Sequence, residues 1–263
     1  MPRKQAGRFV YWSERLVDEV IDSNGIRIDP RLKSIVKVGA GGAGVELSAH
    51  ERSKVSRFEV MKKVSKRLGG GDPLSELDAP GPLAFVQGQG RADVTEFRRS
   101  GLGADHDHRQ ESCLVHVLTA GKRGHRVDLC LFGSLGNLTG YTAPQDPDPG
   151  WTSSAAPAID ELVASRGARI PRAYDDETVA VEALRTALHH GAVGTAGEPP
   201  GRPVRPGTHA YTVAGIESCQ YAAVVYKDVT LTPDRWDFEG EPALNGAHRI
   251  LVGAPLWLRA VGS

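Results

Sequence analysis

This chain of 263 residues has few cysteines, a formal net charge of zero and no long hydrophobic runs. Each of these absences excludes a class of protein. Three cysteines cannot make a complete disulfide set, and no two of them have the CxxC spacing of a metal knuckle. No apolar run approaches the roughly 20 residues of a membrane-spanning helix. The opening sequence MPRKQAGRF is basic but lacks the apolar segment of a secretory signal. We therefore expect a cytoplasmic protein that contacts no membrane.

The formal net charge is zero, but the charges are unevenly distributed. Residues 1–67 contain 15 basic and 8 acidic side chains, so the rest of the chain is acidic to the same extent. Such an asymmetry is typical of a chain whose basic part binds an anionic partner. It is equally typical of two parts that attract each other, and the sequence leaves both alternatives open.

The first half of the chain predicts a mixture of strands and helices. FVYW (9–12) has strand composition, and Ser13 can cap a helix that Gly25 ends. Residues 54–68 repeat apolar side chains at helical spacing. Six further strands are predicted, of which the last four form two hairpins: 35–38, 43–49, 83–89, 92–97, 114–118 and 126–132.

A proline-rich linker at 142–152 precedes the second half. An α-hairpin is predicted there, with one helix starting near Pro157 and a second at 176–190. Three strands follow, at 209–215, 221–231 and 249–261. Because strict βαβ alternation is missing, the fold class is α+β, with a mostly antiparallel sheet, a few packed helices and the α-hairpin inserted after the central strands. We expect one domain over 1–263, or a division into 1–141 and 153–263.

The glycine run at 39–44 matches the dinucleotide fingerprint GxGxxG letter for letter. That fingerprint needs a helix to start at the glycines, because free N–H groups at the helix N-terminus bind the pyrophosphate. The following residues, VELSAHERSKV, alternate like a strand. The run therefore predicts a turn between strands, and no NAD(P) cofactor is expected.

A second glycine-rich segment, GSLGNLTG, follows the strand at 126–132. It resembles the nucleophile elbow GxSxG, but Phe132 replaces the first glycine and the next residues cannot begin a helix. Ser134 is therefore predicted to be a turn residue. Because small residues let a ligand approach the backbone, Gly133, Ser134 and Asn137 are candidates for ligand binding.

His116 and Asp128 are candidates for an acid–base pair. In a hairpin centred on AGKRG, these residues lie directly opposite each other and share a face with Leu114, Leu118 and Cys130. A carboxylate at that place would orient the imidazole. The pair is either a polar contact in the core or a general base at the mouth of a pocket.

Asp105, His106 and His108 form the densest set of metal-capable side chains, within the sequence DHDH. Zinc and related cations need three or four such ligands, and the spacing identifies no further ligand. Their polar neighbours predict an exposed loop. A divalent metal site and a solvated loop both fit these residues.

The predicted helix at 54–68 has a strongly basic face. Arg52, Lys62, Lys63 and Lys66 contribute to it, and Glu59 is the one acidic residue between positions 52 and 67. Such a face could bind the phosphates of a nucleotide or a nucleic acid. It could also be a solvated surface, since aromatic residues for base stacking are sparse in this segment.

Three segments together resemble a family of uncharacterised actinobacterial proteins of unknown function. They are FVYWSERLVDEVI (9–21), LCLFGSLGNLTG (129–140) and HRILVGAPLWLRAV (248–261). The resemblance implies a single α+β unit, and it implies no activity, because none is established for the family.

These observations favour a cytoplasmic binding protein for a small or phosphate-bearing ligand or for a partner protein. Its pocket would lie around Gly133, Ser134, Asn137 and the pair of His116 and Asp128. A metal-assisted hydrolase, or another enzyme of specialised metabolism, is the first alternative. Nucleic-acid binding through residues 52–67 is the second.

Overall fold

A computed structural model describes residues 7–28, 46–69, 77, 84–100, 107–141, 175–188, 203–205 and 208–262. The fold is α+β, as predicted, with a mostly antiparallel sheet. Contacts divide the chain into two compact units, one of Met1–Trp12 with Leu74–Ser263 and one of Ser13–Pro73. The sheet belongs to the first unit, in which strands from both sides of the predicted linker at 142–152 pair with each other.

The described elements are seven strands and three α-helices. The strands are β1 (Arg8–Trp12), β2 (Phe85–Ser100), β3 (Asp107–Ala120), β4 (Arg126–Ser134), β5 (Pro203–Arg205), β6 (Thr208–Thr230) and β7 (Ala247–Ala260). The helices are α1 (Glu14–Ser23), α2 (Glu46–Leu68) and α3 (Asp176–Leu188), and short 3₁₀ helices span Leu135–Asn137 and Pro242–Leu244.

Five of the strands close into a barrel. The pairings run β7–β4–β3–β2–β6 and return to β7, which pairs with β4 on one side and β6 on the other. Only β4 and β7 are parallel in this ring. The order β6–β2–β3–β4 is that of a Greek key, in which the fourth strand returns beside the first. Closure leaves none of these five strands with a wholly unpaired edge.

The barrel interior is filled by alternate residues of its strands. Alternate residues from Cys113 to Val117 of β3 and from Val127 to Leu131 of β4 belong to this core, because successive residues of a strand point to opposite faces. The core includes Val115, Val117, Val127, Leu129, Leu131 and Leu258. At its edge, Arg249 pairs with Asp228 at 2.7 Å and donates to the carbonyl of Leu77, which is itself fully buried.

Helix α3 covers part of the outer face of the barrel. Its buried side chains, including Val181 and Leu184, pack with Leu114, Cys130 and Phe132, which are the outward residues of β3 and β4. The predicted helix at 176–190 is therefore confirmed over Asp176–Leu188. The first helix of the predicted α-hairpin lies outside the described residues.

The buried carboxylate of Glu177 ties α3 to the segment between β6 and β7. It accepts hydrogen bonds from the Thr232 backbone at 2.7 Å, from Trp236 Nε1 at 2.7 Å and from Arg235 at 2.7 Å. Burial alone would raise the pKa of Glu177, but these donors outweigh it and the pKa is lowered. A second link joins Arg185 of α3 to Glu241 at 2.7 Å.

Two helices are described in the unit Ser13–Pro73. Ser13 caps α1 as predicted, since its side chain accepts from the Leu16 amide, and Gly25 has a positive φ of 59° just after the helix. An ion pair of 3.5 Å joins Glu14 to Arg57 of α2. Helix α2 begins at Glu46, so the predicted strand at 43–49 is wrong from residue 46 onward.

The early start of α2 also affects the prediction that the glycine run at 39–44 binds no dinucleotide. The prediction of no dinucleotide site depends on a strand after Gly44, whereas a helix begins two residues later. The glycine run itself, and the predicted strand at 35–38, lie outside the described residues.

Two predicted interruptions of the sheet are also wrong. Residues 83–89 and 92–97 form no hairpin, because Phe85–Ser100 is one strand. The glycines that suggested a turn are packing positions: a Cβ at Gly88 would lie 2.7 Å from Tyr221 Oη, and one at Gly90 would lie 2.5 Å from the Leu118 carbonyl oxygen. The predicted strands 209–215 and 221–231 are likewise parts of the single strand β6.

Across the part of the chain that the structure describes, no helix is long and apolar enough to span a membrane.

Candidate functional site

His116 and Asp128 meet as predicted, although their register differs. His116 Nε2 lies 2.9 Å from Asp128 Oδ1, and both residues lie on the outer face of the barrel. The pairing is shifted by two residues from the prediction, since His116 is opposite Cys130 and Leu118 is opposite Asp128. The two side chains therefore meet diagonally across the strands. They share a face, as predicted, but they are not directly opposite each other.

Arg126 completes this pair as a three-residue network. Its guanidinium donates two bonds to Asp128, from Nε at 2.8 Å and from Nη2 at 2.9 Å. Nη1 donates to the carbonyl oxygens of Ala243 and Asn245, at 2.8 and 2.9 Å. Asp128 is fully buried and His116 is 4% exposed. Both carboxylate oxygens of Asp128 are thus occupied, and the network joins β3 and β4 to the segment before β7.

Cys130 brings a thiol to the same face without making it a nucleophile. It lies directly opposite His116 and two residues from Asp128, so the composition resembles a Cys-His-Asp triad. However, the thiol is fully buried under α3. Burial, followed by the charge of Asp128, raises its pKa well above the ordinary value. A catalytic thiol needs the opposite environment, with access and a stabilised thiolate.

Gly133 serves to accommodate Tyr11. A Cβ at Gly133 would lie 2.3 Å from Tyr11 Oη, so only glycine leaves space for the buried tyrosine ring. Asn137 Nδ2 donates to the same hydroxyl at 3.0 Å. The backbone of the segment is also attached to β1, because the Thr139 amide donates to the carbonyl of Val10. These contacts hold the segments FVYW and GSLGNLTG together.

Ser134 is the N-cap of the short 3₁₀ helix Leu135–Asn137, and its hydroxyl accepts a hydrogen bond from the Gly136 amide at 3.2 Å. It is therefore a turn residue, as predicted. The proposed pocket is not assembled, because Gly133 lies on the inner face of β4 with Leu131, whereas Asp128 lies on the outer face. The structure thus separates the ligand-binding candidates from the pair of His116 and Asp128.

The metal candidates are only partly described. Asp105 and His106 lie outside the described residues. His108 lies in β3, so the predicted loop is wrong at that position, and its partner in the register is Arg99. Among the described residues, no group of three or more His, Cys, Asp or Glu side chains could hold a metal ion.

The lysines of the basic helix are on its surface. Lys62, Lys63 and Lys66 are all exposed in the last three turns of α2, and Arg67 is exposed beside them. Lys62 pairs with Glu59 at 3.3 Å and lies 4.4 Å from the centre of the Phe58 ring. Lys63 donates to the carbonyl of Arg27 at 3.4 Å. Arg52 lies in the same helix, at a position whose side chain is not described.

Sequence reasoning missed three features. Arg126 is two residues from Asp128, so the alternation of β4 places both on one face, and this signal was available. Glu177 could not be recognised, because its donors lie 55 to 59 residues away. The third feature is the register beyond the end of β4, in which Arg98 of β2 is the partner of Arg109 in β3 and of His209 in β6.

Comparisons of the chain with protein-family models, with curated proteins and with solved structures return no match.

Proposed function

We propose that this chain is a binding protein for a phosphate-bearing ligand, and that the ligand is held by the exposed cations of α2. The observation that carries the proposal is the set Lys62, Lys63, Lys66 and Arg67, all exposed within two turns. Among the described side chains of α2, which span 57–68, Glu59 is the one carboxylate. Concentrated positive charge on one face attracts multivalent anions.

The spacing of these cations suits more than one phosphate group. Lys62 and Lys66 are four residues apart, which is about 6 Å along the helix axis. Lys63 is within three or four residues of both Lys66 and Arg67, so the four side chains are neighbours on the helix surface. Like charges at these spacings repel each other, and a bound anion removes that repulsion.

The helix dipole accounts for only part of the set. Cations in the last turn are stabilised by the carbonyl ends, which explains Lys66 and Arg67 without a ligand. Lys62 and Lys63 lie further from the helix end, where the dipole contributes little. Their ammonium groups are also positioned by Glu59 and by the Arg27 carbonyl. Lys62 and Lys63 are therefore stronger evidence for a bound anion than Lys66 and Arg67.

A catalytic function has less support from the described residues. Asp128 is saturated by Arg126 and His116, and Cys130 is buried with a raised pKa. For a metal-assisted hydrolase, no group of three or more His, Cys, Asp or Glu side chains among the described residues could hold the ion. We therefore interpret the network of Arg126, Asp128 and His116 as structural.

Charge reversal on α2 tests the proposal. The variant Lys62→Glu, Lys63→Glu, Lys66→Glu should bind inorganic polyphosphate at least tenfold more weakly in calorimetric titrations at low salt, and should elute from heparin at lower salt. A control with the same change in net charge is Arg15→Glu, Arg91→Glu, Arg123→Glu, at three scattered exposed positions. The control should bind nearly as well as the native chain. Equal loss in both variants, or unchanged binding by a folded α2 variant, would refute the proposed site.

A further inference from the structure

Helix α2 carries exposed cations in two parallel rows near its C-terminal end. Lys62 and Lys66 form the first row, because residues four apart are neighbours on the surface of a helix. Lys63 and Arg67 form the second row with the same spacing. Each residue of the second row directly follows one of the first, so the two rows are turned from each other by about 100° around the helix axis. Two flanks of one exposed helix face therefore each present a pair of positive charges.

The shape of this face favours an extended ligand over a compact one. The apolar side of α2, with Val60 and Val64, is buried, so the cations stand on the outer surface of the helix. That surface is convex, whereas the sites that enclose single small molecules are concave. A mononucleotide would therefore contact only part of the two rows. A long polyanion can contact both rows at once.

Neighbouring groups hold two of the ammonium groups in place at the surface. Lys62 Nζ lies 3.3 Å from Glu59 Oε1 and 4.4 Å from the centre of the Phe58 ring. Lys63 Nζ donates to the carbonyl oxygen of Arg27 at 3.4 Å. Because these side chains are already ordered, they lose less conformational entropy when a ligand binds. Lysine ammonium groups contact phosphates as point charges, and phosphate contacts position a nucleic acid without reading its sequence.

We propose that the two rows of α2 bind the two phosphate backbones that border the major groove of duplex DNA. This groove is about 12 Å wide, and it admits an α-helix. A helix with its side chains is about 10–12 Å in diameter, so α2 fits between the backbones. With the rows turned by about 100°, the cations of each row reach a different strand of the duplex. A single strand offers only one backbone and therefore matches one row.

This inference rests on the proposed function, and it names the ligand class. The probes are a labelled DNA duplex of about 20 base pairs and mixed sequence, one of its strands alone, and the RNA duplex of the same sequence. The full chain should bind the DNA duplex with a slope of log affinity against log salt of about −3.6, since each of four phosphate contacts contributes about 0.9. The single strand should bind at least about fivefold more weakly. So should the RNA duplex, because the A-form major groove is deep and narrow. Equal affinity for all three probes would overturn the inference.

Removal of each row in turn tests the contact with two backbones. The double variants Lys62→Ala, Lys66→Ala and Lys63→Ala, Arg67→Ala should each reduce the steepness of the salt dependence by about 1.8, because each loses two phosphate contacts with the duplex. Each should also bind the duplex at least tenfold more weakly at low salt. A row variant that keeps the native slope would show that only one backbone is contacted, which contradicts the inference.

Two further variants separate the proposed contact from net charge and from misfolding. Arg91→Ala, Arg123→Ala removes two exposed cations outside α2 and should leave the salt slope unchanged. Glu59 lies between the two rows, three residues before Lys62 and four before Lys63, and its carboxylate repels a phosphate backbone. Glu59→Gln should therefore bind the duplex about two- to fivefold more tightly, the range expected for one exposed charge interaction. A misfolded variant cannot show such a gain, and unchanged or weaker binding would contradict the proposed contact.

Parallel measurements with inorganic polyphosphate distinguish the failure of this inference from the failure of the proposed function. If the charge-reversed α2 variant loses polyphosphate while the native chain binds the DNA duplex no better than the single strand, the inference fails and the proposed function stands. If neither polyphosphate binding nor duplex binding changes in any α2 variant, both fail. Loss of both ligands in the α2 variants, together with a preference of the native chain for the DNA duplex, supports both.

Discussion

At the scale of single residues, the most informative group is the carboxylate of Asp128. It is fully buried and accepts from both Arg126 and His116, so its charge is compensated within the protein. The same network holds two carbonyl groups of the segment before β7 through Arg126. A buried carboxylate with these partners fixes the register of a hairpin and the position of the segment beside it.

Asp128→Asn should therefore destabilise the protein. The substitution keeps the shape but leaves Arg126 without a counter-charge, and breaking a buried pair in this way costs about 3–5 kcal/mol. The side chain of Arg126 is 21% exposed, so we expect a loss near the lower end, about 3 kcal/mol, in urea-induced unfolding. Asp18→Asn, at an exposed position of α1, is the control and should change stability by less than about 0.5 kcal/mol. A similar result for both variants would contradict the structural interpretation.

At the scale of elements, the contact between β1 and the end of β4 explains why two distant sequence segments belong together. Tyr11 is 1% exposed and lies against Gly133, and its hydroxyl accepts from Asn137. Leu138 forms an isolated bridge with Tyr11. These contacts attach β1 to the segment that follows β4, while β1 pairs with the last residues of β7.

Gly133→Ala should displace the tyrosine ring and destabilise the protein by roughly 1–3 kcal/mol, the usual range for overpacking a core. Gly136→Ala is a matched control three residues away, because a Cβ there would meet only Ser134 Oγ, at an ordinary distance of 3.5 Å. A double-mutant cycle with Tyr11→Phe measures the contact itself. The loss from Tyr11→Phe should be smaller in the Gly133→Ala background, and additive losses would argue against a direct contact.

At the scale of the whole described barrel, helix α3 is held by carboxylates that depend on pH. The hydrogen bond from Arg235 lowers the pKa of Asp175 to about 2, and the pKa of Glu177 is lowered by its donors despite burial. A carboxyl whose pKa is lower in the folded state contributes stability at pH values above its unfolded pKa. That contribution is lost as the pH falls through the folded pKa.

The free energy of unfolding should therefore decrease as the pH is lowered from about 5 toward 2. Glu177→Gln should reduce this pH dependence, because the variant has no carboxyl to protonate at that position. It should also lower stability at pH 7 by about 1.5–3 kcal/mol, as expected for hydrogen bonds to a buried charge. Denaturant titrations at a series of pH values measure both effects. Glu239→Gln, at an exposed position, is the control, and an identical slope for the two variants would show that Glu177 does not contribute.

Local patterns determined much of the described secondary structure and the central pair. Ser13 caps its helix because a hydroxyl before an amphipathic run satisfies a free amide, and this needs no tertiary information. The alternation of LVHVL and RVDLCLF placed His116 and Asp128 on one face, because the strand period of two survives a register shift of two residues. The α+β class followed from the order of such elements.

Only the tertiary structure determined the role of the glycines, the register of the paired strands and which side chains lie close together. Gly88 and Gly90 resemble turn residues in sequence, but in the folded chain they leave room for a tyrosine and a carbonyl group contributed by other strands. Gly133 likewise leaves room for the ring of Tyr11, which belongs to β1. Glu177 meets Thr232 and Trp236 only because α3 packs beside the segment between β6 and β7. Local preferences depend on adjacent residues, whereas packing and pairing depend on residues far away in the chain, and a single sequence does not reveal which of these will meet.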